Sequence, residues 1–191
     1  MQSLDSTFNE LRERIGRGRG LNHFSFDPIY YHVFHPSKIL DVKKKMTSWK
    51  AQLRKVGYNV HEFSISKEIE KIWDGYDLKD FVIDEESFSK DNLDLYKNTI
   101  SQLVMEQNPI IDRLTAVLEK ASQQPSGVVF VTDLEALHPF GRIGIIEAGL
   151  QGKCPVPLII NYPGTRAGRT SLKFLGFYPE DGNYRSVHIG G

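Results

Sequence analysis

Residues 29–63 read IYYHVFHPSKILDVKKKMTSWKAQLRKVGYNVHEF, and the periodicity of this stretch decides the fold. Its opening residues, IYYHVF, are β-branched and aromatic, the composition that suits a pleated, half-buried strand. Pro36 ends that strand, and Ser37 is placed to cap a helix. From there Ile39, Val42, Met46, Trp49, Leu53 and Val56 recur every three or four residues, with Lys43, Lys44, Lys50 and Arg54 between them. That spacing predicts a single helix whose apolar face lies on a sheet and whose basic face meets water. Gly57 stops the helix and YNVHEF returns as a strand. Strand, helix and strand with so short a return imply parallel pairing and a right-handed crossover.

The flanking sequence repeats the theme. GVVFVT (127–132) is a continuously apolar run of the kind buried on both faces of a parallel sheet. A helix over 139–150, with Phe140, Ile143, Ile146 and Leu150 on one side, precedes a further strand in VPLIIN (156–161). Leu4, Phe8, Leu11 and Ile15 define an N-terminal helix that Gly16, Gly18 and Gly20 terminate. Shorter helical spacing runs from Glu68 to Trp73. It resumes in Leu93, Tyr96, Ile100, Leu103 and Val104, and again in Ile110, Leu114, Val117 and Leu118, with Pro109 kinking or splitting the last two. The acidic stretch 74–92 is expected to be an ordered excursion. SLKFLGFY (171–178) and YRSVHIG (184–190), separated by PEDGN, are expected to pair as a C-terminal β-hairpin. The expected fold is therefore a three-layer α/β domain of Rossmann-like or RecA-like type, a largely parallel sheet flanked by helices. Residues 1–20 form a helix and a Gly/Arg-rich arm, and residues 21–191 form a single domain.

The 191 residues hold 24 Lys and Arg against 24 Asp and Glu, so no global field draws the chain to nucleic acid or anionic lipid. No apolar run is long enough to span a bilayer, the N-terminus lacks the layout of a secretory signal, and Cys154 stands alone. A cytoplasmic protein without membrane contact is expected. Locally, Arg12, Arg14, Arg17 and Arg19 cluster beside Phe24 and Phe26, which offers phosphate contacts and stacking to DNA or, equally, a solvated helix end and linker.

NYPGTRAGRT (161–170) superficially resembles a phosphate-binding loop. A P-loop needs G-x-x-x-x-G-K-[ST], however, and here Gly164 and Gly168 are one residue too close and Arg169 replaces the lysine. The following SLKFLGFY is strand-like, so no helix N-terminus would face the phosphates. No intact P-loop is expected, and the segment reads as a Gly-containing loop. Ligands of parallel sheets gather beyond the carboxyl ends of the strands. That rule singles out His35, Asp133, Glu135, His138, Asn161 and Tyr162, and an alternative ligand site would use His35, Asp133, His138, Arg166 and Arg169. None of these follows a metal-ligand spacing, and Asp133 and Glu135 serve equally as loop or cap residues. His32 and His61 suit packed or surface positions, Cys154 an inert thiol, and no G-x-S-x-G elbow occurs. No catalytic residue, metal or cofactor is expected, so the chain reads as a non-enzyme.

Taken together, IYYHVFHPSKILDVKKKMTSWKAQLRKVGYNVHEFSI, GVVFVTDLEALHPFGRIGIIEAGL, PLIINYPG and LKFLGFYPEDGNYRSVHI resemble the BrxB-like family, the small B component of bacterial phage-exclusion (BREX) defence systems. The resemblance runs from about Leu21 onward. It implies a non-catalytic subunit that binds other BREX components, a PglZ phosphatase-like protein foremost, with DNA contact direct or through the complex. It further implies a contact surface at the positions matching the family's motifs, Tyr162, Pro163 and Gly164, and Asn183, Tyr184 and Arg185. The competing reading is a nucleotide-, metal- or DNA-binding protein with its site at the carboxyl edge of the sheet.

Overall fold

The computed structural model describes residues 2–17, 27–77, 90–106, 108–168, 171–181 and 186–191. Five parallel strands run in the order β2-β3-β4-β1-β7: β1 (Ile29–Phe34), β2 (Asn59–Ser64), β3 (Gly127–Thr132), β4 (Leu158–Ala167) and β7 (Val187–Gly190). The opening stretch forms β1, a 3-10 turn at Pro36–Lys38 and helix α2 (Ile39–Lys55) before β2. Its two strands are parallel members of one sheet, but β3 and β4 lie between them. Helix α2 therefore crosses the width of two strands, which its five turns allow.

Each face of the sheet has its own core. On one side lie α1 (Leu4–Gly16) and α2, whose Phe8, Leu11, Val42, Met46, Trp49 and Leu53 cover Phe34, Val128, Phe130 and Ile159. Phe8 and Trp49 stack with ring centroids 4.7 Å apart. Helix α1 is thus part of the packed body, although the sequence divides the chain at residue 20. The other face carries α3 (Ile65–Asp74), α4 (Lys90–Met105), α5 (Pro109–Ser122) and α6 (Ile143–Gly149). Pro109 splits α4 from α5, with Asn108 in the left-handed conformation at the junction. Helix α6 starts later than the spacing suggests, because Phe140 belongs to the approach from the 3-10 turn at Leu134–Leu137. Most of the acidic excursion, 78–89, lies outside the described residues.

Strand β4 corrects two expectations. Pro163 and Gly164 do not begin a loop: the strand pairs in parallel with β1 as far as Phe34 and Pro163, then from Gly164 to Ala167 pairs antiparallel with β5 (Ser171–Phe174). Proline is tolerated at the point where one ladder hands over to the other. The segment that mimics a P-loop therefore runs from strand to strand, and no helix follows it. The terminal segments also do not form one hairpin. Strand β5 pairs with β4 and with the two-residue β6 (Glu180–Asp181), whereas β7 leaves them and joins β1 in parallel at the sheet edge.

Gly164 makes the handover feasible. A methyl group there would overlap both the Lys173 carbonyl oxygen of β5 and the ring of Tyr162. Among the described residues, no helix is long and apolar enough to cross a membrane.

Candidate functional site

Two polar clusters occupy the region beyond and beside the carboxyl ends of the strands. The first gathers where β2 and β3 end. Asp133 follows β3 in the left-handed region at φ 55°, which swings its carboxylate toward α2 and α3. It accepts from the Ser64 hydroxyl at 2.6 Å and the Thr132 hydroxyl at 3.2 Å, and it pairs with Lys43 at 2.7 Å. Lys43 also reaches Glu135 at 2.6 Å, and Ser64 caps α3 by accepting from the Lys67 amide. Burial alone would raise the Asp133 carboxyl, but the hydrogen bonds from Lys43 and Ser64 outweigh it and hold the group below the usual carboxylate range. Lys43 is held above its ordinary value because both carboxylates offset its burial. This cluster is closed: Lys43 is shared between the two carboxylates, and Asp133, held ionised, ties three elements together. Such a group is poorly suited to proton transfer near neutrality.

The second cluster lies at the corner built by the end of the 3-10 turn, the start of α6, and β4, β5 and β6. His138 and Arg142 come from the segment before α6, Tyr162 from β4, and Phe174, Phe177, Tyr178 and Asp181 from the stretch that forms β5 and β6. Arg142 lies over the Tyr178 ring, 3.5 Å from its centroid, a cation–π arrangement. The Tyr178 hydroxyl is hydrogen-bonded to His138 Nδ1. Phe177 stacks on Tyr178 at 4.7 Å and meets His138 edge-on at 5.3 Å, yet remains 64% exposed. Beneath this platform is a cavity of about 270 Å³, lined by Arg142, Tyr162, Phe174, Tyr178 and Asp181 among others. Tyr162 is fully buried, and neither its hydroxyl nor Arg142 Nη1 has a hydrogen-bond partner. Burial and the Asp181 charge push the Tyr162 phenol well above its ordinary value, so it keeps its proton and remains a donor.

Behind Tyr162 runs a buried polar row. Tyr31 of β1 meets Tyr162 edge-on at 5.5 Å and donates to Glu147 of α6 at 2.6 Å. Burial pushes Glu147 above the usual carboxylate range, against the hydrogen bonds from Tyr31 and Ser186. His188 of β7 packs edge-on against Tyr31, and burial together with the Arg166 charge holds it at about 4.

The sequence candidates scatter over these sites. Asp133 and Glu135 enter the closed cluster, and His138 enters the corner. Exposed His35 caps the 3-10 turn by accepting from the Ser37 amide, and it borders a groove of about 430 Å³ where Lys38 pairs with Asp41 and Lys45 with Asp5. Arg166 donates to the His188 carbonyl at 3.1 Å. The groove at His35 takes in none of Asp133, His138 and Arg166, the corner cavity takes in none of the four, and Arg169 lies outside the described residues. Asn161 and Tyr162 are not edge residues, because β4 continues past them and buries both. Asn161 accepts from His32 Nδ1, and burial holds His32 at about 4, a neutral core histidine. Tyr162, Pro163 and Gly164 are buried strand residues and present no outer surface, which corrects their reading as a contact loop. Asn183, Tyr184 and Arg185 lie outside the described residues.

Of the arginine cluster, Arg14 pairs with Glu10 at 3.2 Å and Arg17 with Glu13 at 3.6 Å, Arg12 is half-buried on α1, and Arg19 is outside the described residues. Among the described residues, no group of three or more His, Cys, Asp or Glu is placed to hold a metal. The sequence reasoning missed Arg142, Phe177, Tyr178 and Asp181. Their signal was that they sit inside the stretches carrying the family resemblance.

The fold and its corner thus define a parallel α/β protein whose sheet turns, through one long strand, into a small antiparallel corner with a cavity beneath it. Residues 60–189 match the family model described as BREX protein BrxB, more than half of the chain, and the chain belongs to that family. It is accordingly a component of the BREX defence system and works with other BREX proteins. No match is found among curated proteins or solved structures.

Proposed function

We propose that this BREX component is a non-catalytic interaction module of the cytoplasm, and that it docks another BREX protein on the aromatic corner formed by His138, Arg142, Phe177 and Tyr178. The observation that carries the reading is Phe177: a large aromatic side chain, 64% exposed, braced by Tyr178 and His138 rather than left mobile. Exposed aromatics stiffened by neighbours and set beside an arginine are the usual anchors of protein interfaces. The corner is built from the three stretches that hold HPFGR, INYPG and LGFYPED, all within the family match. A PglZ phosphatase-like protein is the expected partner. The closed Asp133 cluster supports a non-catalytic role, since its carboxylate is already committed to Lys43 and Ser64.

Affinity purification of the tagged chain from cells carrying the intact defence locus tests this reading. Wild type should recover a BREX partner, and Phe177→Ala, which removes no buried contact network, should lose it while the protein stays folded. Recovery of the same partner in undiminished amount by the alanine variant would refute the corner as the docking surface.

A further inference from the structure

The equal totals of acid and base hide an uneven placement. Helix α2 carries Lys43, Lys44, Lys45, Lys50, Arg54 and Lys55, and no Asp or Glu occurs between Val42 and Tyr58. Pairing sorts these cations by direction. Lys43 turns to Asp133 and Glu135 beyond β3, Lys45 to Asp5 of α1 at 2.8 Å, and Lys50 to Glu62 of β2. Lys44, Arg54 and Lys55 are exposed, and among the described residues none of them forms an ion pair or a side-chain hydrogen bond. Lys44 feels the charge of Asp41, but Lys38 already holds that carboxylate at 3.0 Å.

The unpaired cations are set out along the helix. Lys44 and Lys55 are separated by about three turns, so they stand on one face roughly 16 Å apart along the axis. The exposed positions between them on that side are Thr47, Ser48 and Ala51, all short. Cations at both ends and small side chains between them leave room for a rod-shaped partner to lie close against the helix.

Residue type decides which partner. Protein interfaces are depleted in Lys, Ser and Ala and anchored by aromatic residues and Arg, which describes the corner at Phe177 and not this helix. Contacts to a nucleic-acid backbone come from Lys, Arg, Ser and Thr, which reach phosphate oxygens without reading bases. A helix that lies on a membrane carries large apolar residues opposite its basic ones. Here the opposite side, with Met46, Trp49 and Leu53, is buried in the core, and the exposed Leu40 and Val56 lie outside the span from Lys44 to Lys55.

We propose that the outer face of α2 docks duplex nucleic acid, with Lys44, Arg54 and Lys55 contacting phosphates and the Thr47 and Ser48 hydroxyls donating to them, independently of base sequence. The surface goes beyond the docking reading and does not depend on it. Helix α2 packs in the core on one face of the sheet, whereas the corner's Phe174 and Tyr178 belong to the core on the other.

Fluorescence anisotropy of a short labelled DNA duplex of mixed sequence, titrated with the purified chain at low salt, tests the proposal. Wild type should bind, and its affinity should fall with salt at a log–log slope of about 3, the value for three phosphate contacts. The double variant Lys44→Glu, Lys55→Glu should bind at least about tenfold more weakly and keep the wild-type melting temperature, because neither side chain is buried or paired. Lys120→Glu, at an exposed position of α5 in the other helix layer, should bind like wild type, as should Phe177→Ala. The proposal is overturned if no duplex binds, if the double variant binds like wild type, or if Lys120→Glu weakens binding as much as the double variant does. It is also overturned if polyglutamate of matched charge displaces the duplex at equal concentration, which would assign the face to an acidic protein. Loss of partner recovery in Phe177→Ala with duplex binding retained would show the two readings to be separate.

Discussion

The two polar clusters use the same kinds of residue to opposite ends. Around Asp133, one lysine bridges two carboxylates and two hydroxyls donate to the first of them. Around Tyr162, an arginine, a phenol and a carboxylate share a cavity, yet two donors are left over. Pairing a buried polar group recovers most of what its desolvation costs, whereas leaving it unpaired does not. The first cluster therefore reads as a fastening between α2, α3 and β3. The second keeps two buried donors that its own acidic groups do not meet. Polar residues at a sheet edge do not identify a site by their presence.

The contrast can be broken most severely at Gly164. Gly164→Ala forces a methyl group into the Lys173 carbonyl and the Tyr162 ring, and should cost about 3 kcal/mol in urea denaturation by overpacking the open cluster from below. Wild-type stability for this variant would mean that β4 and β5 are not locked as described. Next in size is Asp133→Ala. Removing the shared acceptor takes a charged partner from the Ser64 and Thr132 hydroxyls, leaving them Ser66 and Glu62, leaves Lys43 with Glu135 alone, and should cost about 2 kcal/mol. A cost near zero would remove the fastening role.

A pH series sharpens the distinction, because His32 is a closed-type group in the core. It lies between Asn161 and Thr7, and burial holds it at about 4 against an ordinary 6.5. The unfolded chain thus takes up a proton that the folded chain refuses, so stability is intact above pH 6.5 and falls as pH drops from there toward 4. His188 adds to the effect in the same direction. The slope should be on the order of 1 kcal/mol per pH unit, and a flat profile between pH 6.5 and 4.5 would place His32 in water. The smallest effect belongs to Tyr162→Phe. Deleting an unpaired hydroxyl should change the stability of the free protein by less than about 0.5 kcal/mol, in clear contrast with Asp133→Ala.

Periodicity made α2 legible because one face of it is wholly apolar, and the unbroken run GVVFV ahead of Thr132 could only be a covered strand. What periodicity could not convey was order across the sheet. Nothing in residues 29–63 says that two other strands will later slip between β1 and β2, since that depends on segments a hundred residues away. Pro163 and Gly164 read as chain breakers because that is their usual effect. Here Pro163 falls where pairing with β1 ends, and Gly164 is needed for the close approach of β5. The corner escaped for a similar reason. Arg142, Tyr162, Tyr178 and Asp181 follow no motif spacing and meet only through the antiparallel turn-back of β4. Asp133 was visible as a polar residue after a strand, but whether it was spent or free depended on Lys43, ninety positions earlier.

Strand β4 has one further consequence. Its inner half is wedged between β3 and β1 at the middle of the molecule, and its outer half carries β5 and so the platform under Phe177. Because it is a continuous ten-residue strand, the mount has no joint. Whatever grips the corner takes hold of the molecule's own spine, and a load applied there reaches the central hydrogen bonds instead of being absorbed by a yielding loop.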